Sequence, residues 1–147
     1  MAQEDSFGPL EQSAVLEKVG QALVGAVPAG WVQIRFEFRG TVQIDGARLE
    51  STAEDGSAVR HSVPKVAMRE FDRLRAAMYE PGKGAWFTAR FVIEQSGDYK
   101  IDFDYDAEPD FVPQLTAGAY ALDLEHYPRD EEHTPAWLRD MLREVRG

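Results

Sequence analysis

Three aspartates at alternate positions, Asp102, Asp104 and Asp106, are the residues whose type and spacing most suggest chemistry. Carboxylates at alternate positions open the calcium-binding loop of helix–loop–helix motifs. That loop also requires a glycine at its sixth position and a bidentate glutamate at its twelfth. Those positions hold Ala107 and Pro113 here. The spacing therefore does not predict a calcium site.

The aspartates belong to a segment in which apolar and charged residues alternate. Because side chains along a strand point to opposite faces in turn, the segment predicts a half-buried strand. Its apolar face would carry Tyr99, Ile101, Phe103 and Tyr105, and its outer face Lys100, Asp102, Asp104 and Asp106. Neighbouring carboxylates repel one another, which costs stability. Two interpretations are open: a solvated face of a sheet, or a surface that meets a cationic partner.

The distribution of charge favours the second interpretation. The chain has 147 residues and a net charge of −10. Between Ser96 and Glu132 there are eleven acidic residues and two basic ones, Lys100 and Arg129, which leaves −9 in that stretch alone. Nearly the whole net charge therefore lies in one part of the chain, as expected for a functional acidic surface.

The composition also excludes several classes of function. A strongly acidic chain is unsuited to direct binding of nucleic acid or of an anionic membrane, because both need a basic surface. The absence of cysteine removes disulfides, thiolate metal sites and a cysteine nucleophile. The acidic N-terminus has no apolar run after it, and no stretch approaches about 20 apolar residues. A cytoplasmic protein is expected.

The sequence gives little support for a catalytic or metal-binding motif. His61, His126 and His133 do not have the spacing of a common zinc site. The sequence contains no nucleophile elbow, phosphate-binding loop or dinucleotide fingerprint. A glycosidase-type carboxylate pair stays open because acids are abundant, but such a pair needs one dry carboxyl group. We predict no enzyme activity, no metal and no cofactor.

The tryptophans divide into two kinds. Trp86 and Trp137 are expected to be core or cover residues. Trp31 begins a strand on the side of Gln33 and Arg35. We therefore expect Trp31 to be partly exposed, where a tryptophan beside charges can anchor an interface.

The first half of the chain is expected to contain one helix and three strands. Residues 1–8 are expected to fray, and apolar residues at helical spacing predict a helix over Pro9–Ala26. Strands are predicted over residues 31–38, 41–49 and 58–63, with a hairpin turn at 54–57. The inward side chains of the first two strands would be Val32, Ile34, Phe36, Phe38, Val42 and Ile44, whereas Arg39 would point outward.

A second helix is predicted after the third strand. Ser62 would cap it, Pro64 would stand near its first position, and Pro81-Gly82 would end it. Its apolar stripe would consist of Ala67, Phe71, Leu74 and Met78. Its outer face is expected to carry Lys65, Arg69, Glu70, Asp72, Arg73 and Arg75.

The second half begins with an antiparallel hairpin. A strand over residues 85–94 turns at 95–98 into the acidic strand. A short helix is predicted over Thr116–Tyr127, then a polar loop over Pro128–His133 and a final helix capped by Thr134. The chain is thus predicted to be a single α+β domain over residues 1–147. Its antiparallel sheet of about five strands would be covered by helices on one face.

Several short patches, taken together, resemble a known family. These are Trp31 to Phe38 (Trp-x-x-x-x-Phe-x-Phe), Phe71 on the second helix, Gly84-Ala85-Trp86-Phe87, Ser96 to Asp106, Tyr127-Pro128-Arg129-Asp130 and Pro135-Ala136-Trp137-Leu138. With the order of elements, they resemble the YezG-like immunity proteins of bacterial polymorphic toxin systems. The resemblance implies a small α+β protein that neutralises a cognate toxin domain, commonly a nuclease, by binding it.

Electrostatics agrees with that implication. A toxin that acts on nucleic acid carries a basic cleft, which an acidic protein can fill, and opposite charges speed the encounter. Carboxylates on one strand face lie roughly 6.6 Å apart, near the interval between successive phosphates. The predicted partner-binding residues are Asp102, Asp104, Asp106, Glu108, Asp110, Asp123, Glu125, Glu131, Glu132 and Trp31. Two alternatives stay open: a small enzyme or ligand-binding protein, and an acidic interaction module without a toxin partner.

Overall fold

Residues 7–146, the part of the chain that the computed structural model describes, form four α-helices and five strands. The helices are α1 (Pro9–Ala26), α2 (Lys65–Ala77), α3 (Ala117–His126) and α4 (Ala136–Arg146). The strands are β1 (Trp31–Gly40), β2 (Asp45–Ala53), β3 (Ala58–His61), β4 (Thr88–Glu94) and β5 (Tyr99–Asp104). A 3-10 turn over Glu131–His133 separates α3 from α4.

The strands form one antiparallel sheet in the order β3-β2-β1-β4-β5. The acidic strand β5 is therefore an edge strand, paired with β4 on one side only. The α+β class, the five-stranded antiparallel sheet, the N-terminal helix and the C-terminal helices are confirmed.

One face of the sheet packs against α1 and α2 to form the main core. The central strand β1 directs Ile34, Phe36 and Phe38 into it. From α2, Phe71 meets Phe36 edge-on, with ring centroids 5.1 Å apart. Among residues 7–146, no helix covers the opposite face of the sheet over β1, β2 and β4. It carries charged side chains, such as Arg35 paired with Glu50 on β2.

A second, smaller core lies beyond the end of the sheet, where α3 and α4 pack together. Its fully buried members are Phe87, Tyr120 and Leu138. Trp137 packs on Tyr120 with ring centroids 5.1 Å apart. The fully buried Trp86 belongs to the main core, so both tryptophans have the roles that the sequence predicts.

Helix α1 has the predicted boundaries. Pro9 occupies its first position, and the Gly8 N–H donates to Glu11 Oε1 at 2.9 Å. Phe7 packs against the main core, so the predicted fraying is wrong at Phe7. The rest of that prediction, residues 1–6, lies outside the described residues.

Two local predictions are wrong: the start of β2 and the capping residue of α2. Strand β2 begins at Asp45 rather than at Thr41, because Thr41 and Ile44 close a turn: Thr41 N donates to Ile44 O at 2.8 Å, and Ile44 N donates to Thr41 Oγ1 at 3.1 Å. Ile44 is exposed. Ser62 does not cap α2, because Pro64 holds the cap position without a side-chain hydrogen bond.

The expected outward positions of three charged residues are also wrong. Glu70 and Arg75 on α2 are buried, and so is Arg39 at the end of β1. Each has partners of its own: Glu70 accepts from Lys18 and Arg73, and Arg39 donates to a backbone carbonyl. Paired charges tolerate burial that an unpaired charge would not.

Candidate functional site: the acidic edge strand

The backbone of β5 is hydrogen-bonded to β4 at every second residue. Glu94 N donates to Asp98 O at 2.8 Å, which makes these residues a bonded pair. Bonded pairs recur with period two along an antiparallel ladder. The register therefore bonds Lys100, Asp102 and Asp104 to β4. The N–H and C=O groups of the residues between them, Tyr99, Ile101 and Phe103, point away from the sheet.

The carboxylates of β5 lie on the helix-free face and differ widely in exposure. The Asp102 side chain is 76% exposed, whereas that of Asp104 is 26% exposed. Arg90 on β4 stands between them, with Nη1 3.8 Å from Asp102 and 3.6 Å from Asp104. Arg90 also lies 3.3 Å from Glu37 on β1. A cross-strand arginine therefore offsets part of the repulsion that the sequence indicates.

Asp104 has a structural role. Its Oδ1 accepts the backbone N–H groups of Asp106 and Ala107, each at 3.0 Å. The Ala107 N–H is the main cause that lowers the pKa of Asp104 from its ordinary 3.8, with help from Asp106 and Arg90 against partial burial. This carboxylate closes the turn at the end of β5. Its acceptor capacity is mostly used within the chain.

Asp106 lies within that turn and is exposed. Its backbone carbonyl accepts Trp137 Nε1 at 2.6 Å, which ties the turn to α4. Asp106 also lines the cleft described next.

A cleft of about 420 Å³ lies beside the C-terminal half of β5. Three of its lining residues, Lys83, Arg129 and His133, are distant in sequence from β5. Lys83 Nζ lies 4.4 Å from the centroid of the Tyr105 ring. The end of β5 contributes Asp102, Phe103 and Asp104, and the turn after it contributes Tyr105 and Asp106. We call this the acidic cleft; cations on its opposite wall face its carboxylates.

The acidic 3-10 turn stands at the same cleft. His133 lines the cleft, and its Nδ1 lies 2.7 Å from Asp130 Oδ1. Its Nε2 lies 4.0 Å from Glu132 Oε2. Glu132 therefore lies next to a residue of the cleft, and Glu131 is exposed on the same turn. Because this turn and β5 are far apart in the sequence, the local pattern could not predict that they are neighbours.

Arg129, which the sequence marks only as a charge and as part of the Tyr127-Pro128-Arg129-Asp130 patch, holds the cleft wall in place. Its guanidinium carbon lies 4.8 Å from the Phe87 ring centroid, and it donates to the carbonyls of Ala85 (3.0 Å) and His133 (2.9 Å). Burial lowers the pKa of Arg129. The only sequence signal is Gly84, whose φ of +85° lets the chain pass close to this side chain.

Asp123 is not a surface residue, which corrects its predicted role in partner binding. It is 1% exposed. Its carboxylate forms a bidentate ion pair with Arg75, at 2.9 and 2.8 Å, and accepts Val42 N at 2.7 Å. All of these contacts are within the chain, so no partner reaches this carboxylate.

The remaining predicted residues are dispersed. Glu108 accepts Gln114 Nε2 at 3.1 Å, and Asp110 is exposed while its carbonyl accepts from Arg39. Glu125 is exposed and lines a separate cleft between α3 and α4. Trp31 is half-buried and packs against the main core. The structure therefore brings Asp102, Asp104 and Asp106 together at the cleft, places Glu131 and Glu132 on the turn beside it, and leaves the other five apart.

An apolar groove of about 600 Å³ lies on the other face of β5, between α1 and the β4–β5 hairpin. Tyr99 and Val24, on its two sides, are 46% and 40% exposed. Its floor includes Leu16, Phe91 and Ile93. Gly20 brings the backbone of α1 close to this floor, because a β-carbon at this position would lie 3.8 Å from Ile93. The groove exists because the helices do not cover the edge strand.

In residues 7–146, no three His, Cys, Asp or Glu side chains are placed to hold a metal ion. His61 instead bonds Ser51 Oγ at 2.7 Å. No helix in the described part of the chain has both the length and the apolar character needed to cross a bilayer.

Comparison with known proteins assigns no relative to this chain: no protein-family model matches it, and no curated protein matches it.

Proposed function

We propose that this protein is an immunity protein that binds and neutralises a cognate bacterial toxin domain through the acidic surface of β5. The observation that carries the proposal is the placement of the exposed Asp102 and Asp106 at one cleft beside an edge strand, with the acidic 3-10 turn joined to the cleft through His133. The resemblance to YezG-like immunity proteins supplies the toxin as the partner class. The net charge of −10 supports a partner with a basic surface.

Contacts within the chain reduce the number of predicted acidic residues that are available to bind a partner. Asp123 uses both carboxylate oxygens in contacts within the chain, and Asp104 uses its Oδ1 to accept two backbone N–H groups. Asp102 and Asp106 do not have comparable backbone contacts among the described residues, and both are exposed. These two, with the acidic 3-10 turn, are the groups that a cationic toxin surface would meet first.

Electrostatics gives such a surface a physical use. A nuclease active site must attract phosphates, so it carries a positive field. Opposite fields raise the association rate, and fast capture protects a cell from a lethal enzyme. The proposal extends to toxins that act on nucleotides, because these also bind phosphate.

The test begins with a search for a toxin domain encoded beside this gene. The purified domain should bind the protein with a stoichiometric endpoint in calorimetry, and its activity should fall as the protein is added. The double variant Asp102→Lys/Asp106→Lys should raise the Kd roughly tenfold or more, equal to about 1.4 kcal/mol.

The matched control is Glu54→Lys/Glu144→Lys, which makes the same charge change at two exposed sites away from the cleft. Equal affinities for the two double variants would move the interface to another surface. A neighbouring toxin whose activity does not respond to this protein would overturn the immunity function itself.

A further inference from the structure

The edge of β5 offers a row of backbone groups with no partner among the described residues. The ladder that bonds β4 to β1 fixes this assignment independently, because Gly40 N donates to Phe87 O and Gln95 N donates to Val32 O. Odd-numbered residues of β4 thus bond to β1, and even-numbered ones bond to β5. The outward groups of β5 belong to Tyr99, Ile101 and Phe103. An edge of this kind is a template for another strand.

The other edge of the sheet is a poorer template. Strand β3 is only four residues long. Its bonded residues are set by Ala53 N, which donates to Ser57 O, so Ala58 and Arg60 alone point outward. Strand β5 therefore offers the longer edge.

Both faces beside the β5 edge are built to receive side chains. On the helix side, the apolar groove lies next to the half-exposed Tyr99. On the open side, Asp102 projects 76% exposed beside the acidic cleft. Alternate residues of an added strand would point to these two faces in turn. The edge is thus complementary to a strand that is apolar on one side and cationic on the other.

We propose that β5 takes up an extended segment of the toxin as a sixth strand of the sheet. This inference rests on the proposed function and deepens it, because it names the form of the partner. The segment alternates apolar residues, which enter the groove beside Tyr99, with Lys or Arg residues, which lie opposite Asp102 and near Asp106. Main-chain hydrogen bonds give affinity, and the alternating side chains give specificity.

A second copy of this chain is the less suitable occupant. Each copy has a net charge of −10, and the flank of β5 carries Asp98, Asp102 and Asp106 against Lys100. Two such flanks repel over a distance of about 10 Å at ordinary salt. A cationic strand removes that cost.

Amide hydrogen exchange of the complex tests the backbone contact directly. In the free protein, the amides of Lys100 and Asp102 should exchange slowly because they bond to β4. Those of Tyr99, Ile101 and Phe103 should exchange fast. On saturation with the toxin domain, the second set should slow by tenfold or more while the first set stays slow.

A pair of variants tests the same contact through affinity. Proline at position 101 removes an outward N–H and no bond to β4, a position where edge strands tolerate proline. Ile101→Pro should raise the Kd for the toxin at least tenfold, whereas Ile101→Val should leave it within twofold. Slow exchange at Lys100 and Asp102 in Ile101→Pro shows that the sheet is intact.

The outcomes separate this inference from the function beneath it. Tight toxin binding with fast exchange at Ile101, or with full affinity in Ile101→Pro, overturns strand addition and leaves the immunity function standing. Absence of toxin binding by the unmodified protein overturns both. Protection of Ile101 that grows with the concentration of the protein alone assigns the edge to a second copy, which also overturns the proposal.

Discussion

At the scale of single residues, the ion pair between Arg75 and Asp123 is notable because both charged side chains are buried. The side chains are 2% and 1% exposed, and two parallel hydrogen bonds join them. Arg75 Nε also donates to Trp86 O at 2.5 Å, and Asp123 accepts Val42 N. The pair therefore connects α2, α3 and the turn between β1 and β2. Burial is tolerated because every charged group has a partner.

Removing one partner should be costly. Asp123→Ala leaves the Arg75 charge buried and uncompensated, so the free energy of unfolding should fall by about 3–5 kcal/mol. The control Glu125→Ala lies two residues away on α3 and is exposed; it should change stability by less than about 0.5 kcal/mol. Urea unfolding of both variants measures the difference. A loss below about 1 kcal/mol in Asp123→Ala would show that the pair is solvated.

The contact between Gly84 and Arg129 makes a second prediction at this scale. A β-carbon on Gly84 would lie 2.6 Å from Arg129 Cγ, and the backbone has φ +85°. Gly97 has φ +99° with nothing within 4 Å. Gly97→Ala should cost about 1 kcal/mol from backbone strain alone. Gly84→Ala should cost about 1–3 kcal/mol more, because Arg129 must move. Equal thermal unfolding temperatures in the two variants would contradict the close approach.

The sequence could not predict these residue pairings, and the reason is physical. Arg75 lies one position beyond Leu74 on the border of the α2 apolar stripe, where a long side chain can point either way. Asp123 is one of eleven acids in an acidic stretch. Nothing in its local pattern marks it as the one that is buried. Only the tertiary structure brings together these two side chains, which are 48 positions apart in the sequence.

At the scale of elements, local signals predicted most boundaries. Helix α1 and the hairpin turn at Gly56 (φ +88°) follow directly from proline and Asp-Gly. The start of β2 was missed because Val42 and Ile44 alternate as strand residues do. The turn there depends on the Thr41 side chain and on Asp123, 81 positions away. A distant carboxylate that satisfies a loop N–H leaves no trace in the local sequence.

The contact between α1 and α2 leads to a prediction about pH. Burial opposes ionisation of Glu70, but Lys18 at 3.3 Å and Arg73 at 3.0 Å outweigh it, so the pKa of Glu70 lies below its ordinary 4.5. A lowered folded-state pKa contributes stability that is present above pH 4.5 and is lost as the pH falls through the folded value.

Glu70→Gln removes that ionisation. The variant should be less stable than the parent at pH 7, and its stability should fall less between about pH 5 and pH 3. Glu17→Gln, an exposed change on α1, should follow the parent curve. Chemical unfolding across this pH range measures all three. Parallel curves for Glu70→Gln and the parent would contradict the role of the α1–α2 ion pairs in acid sensitivity.

At the scale of the molecule, the second core determines that the acidic 3-10 turn of Glu131–His133 lies beside the sheet. Phe87 precedes β4, while Tyr120 and Leu138 belong to α3 and α4. Their packing carries the 3-10 turn of Glu131–His133 to the end of β5. The sequence indicated both acidic segments and the fold class. Their adjacency depends on how α3 and α4 dock, which no periodicity encodes.

In the proposed complex with a toxin, that arrangement would separate two contributions to binding. Long-range attraction between an acidic flank and a basic partner acts before contact, so it would set the association rate. The proposed main-chain hydrogen bonds along β5 would form only after contact, so they would set the dissociation rate. We therefore expect variants of the two kinds to change different rate constants.

Asp102→Lys/Asp106→Lys should slow association and flatten its decrease with salt between about 50 and 500 mM NaCl, over which the Debye length shrinks severalfold. Ile101→Pro should keep the parent association rate and its salt dependence but dissociate about tenfold faster, since the edge loses a hydrogen bond and its alignment. Stopped-flow association and surface-based dissociation measure the two constants, with Ile101→Val and Glu54→Lys/Glu144→Lys as controls. If both changes acted on the dissociation rate alone, the acidic residues would be contact groups within the interface, and the net charge of −10 would have no part in capturing the toxin.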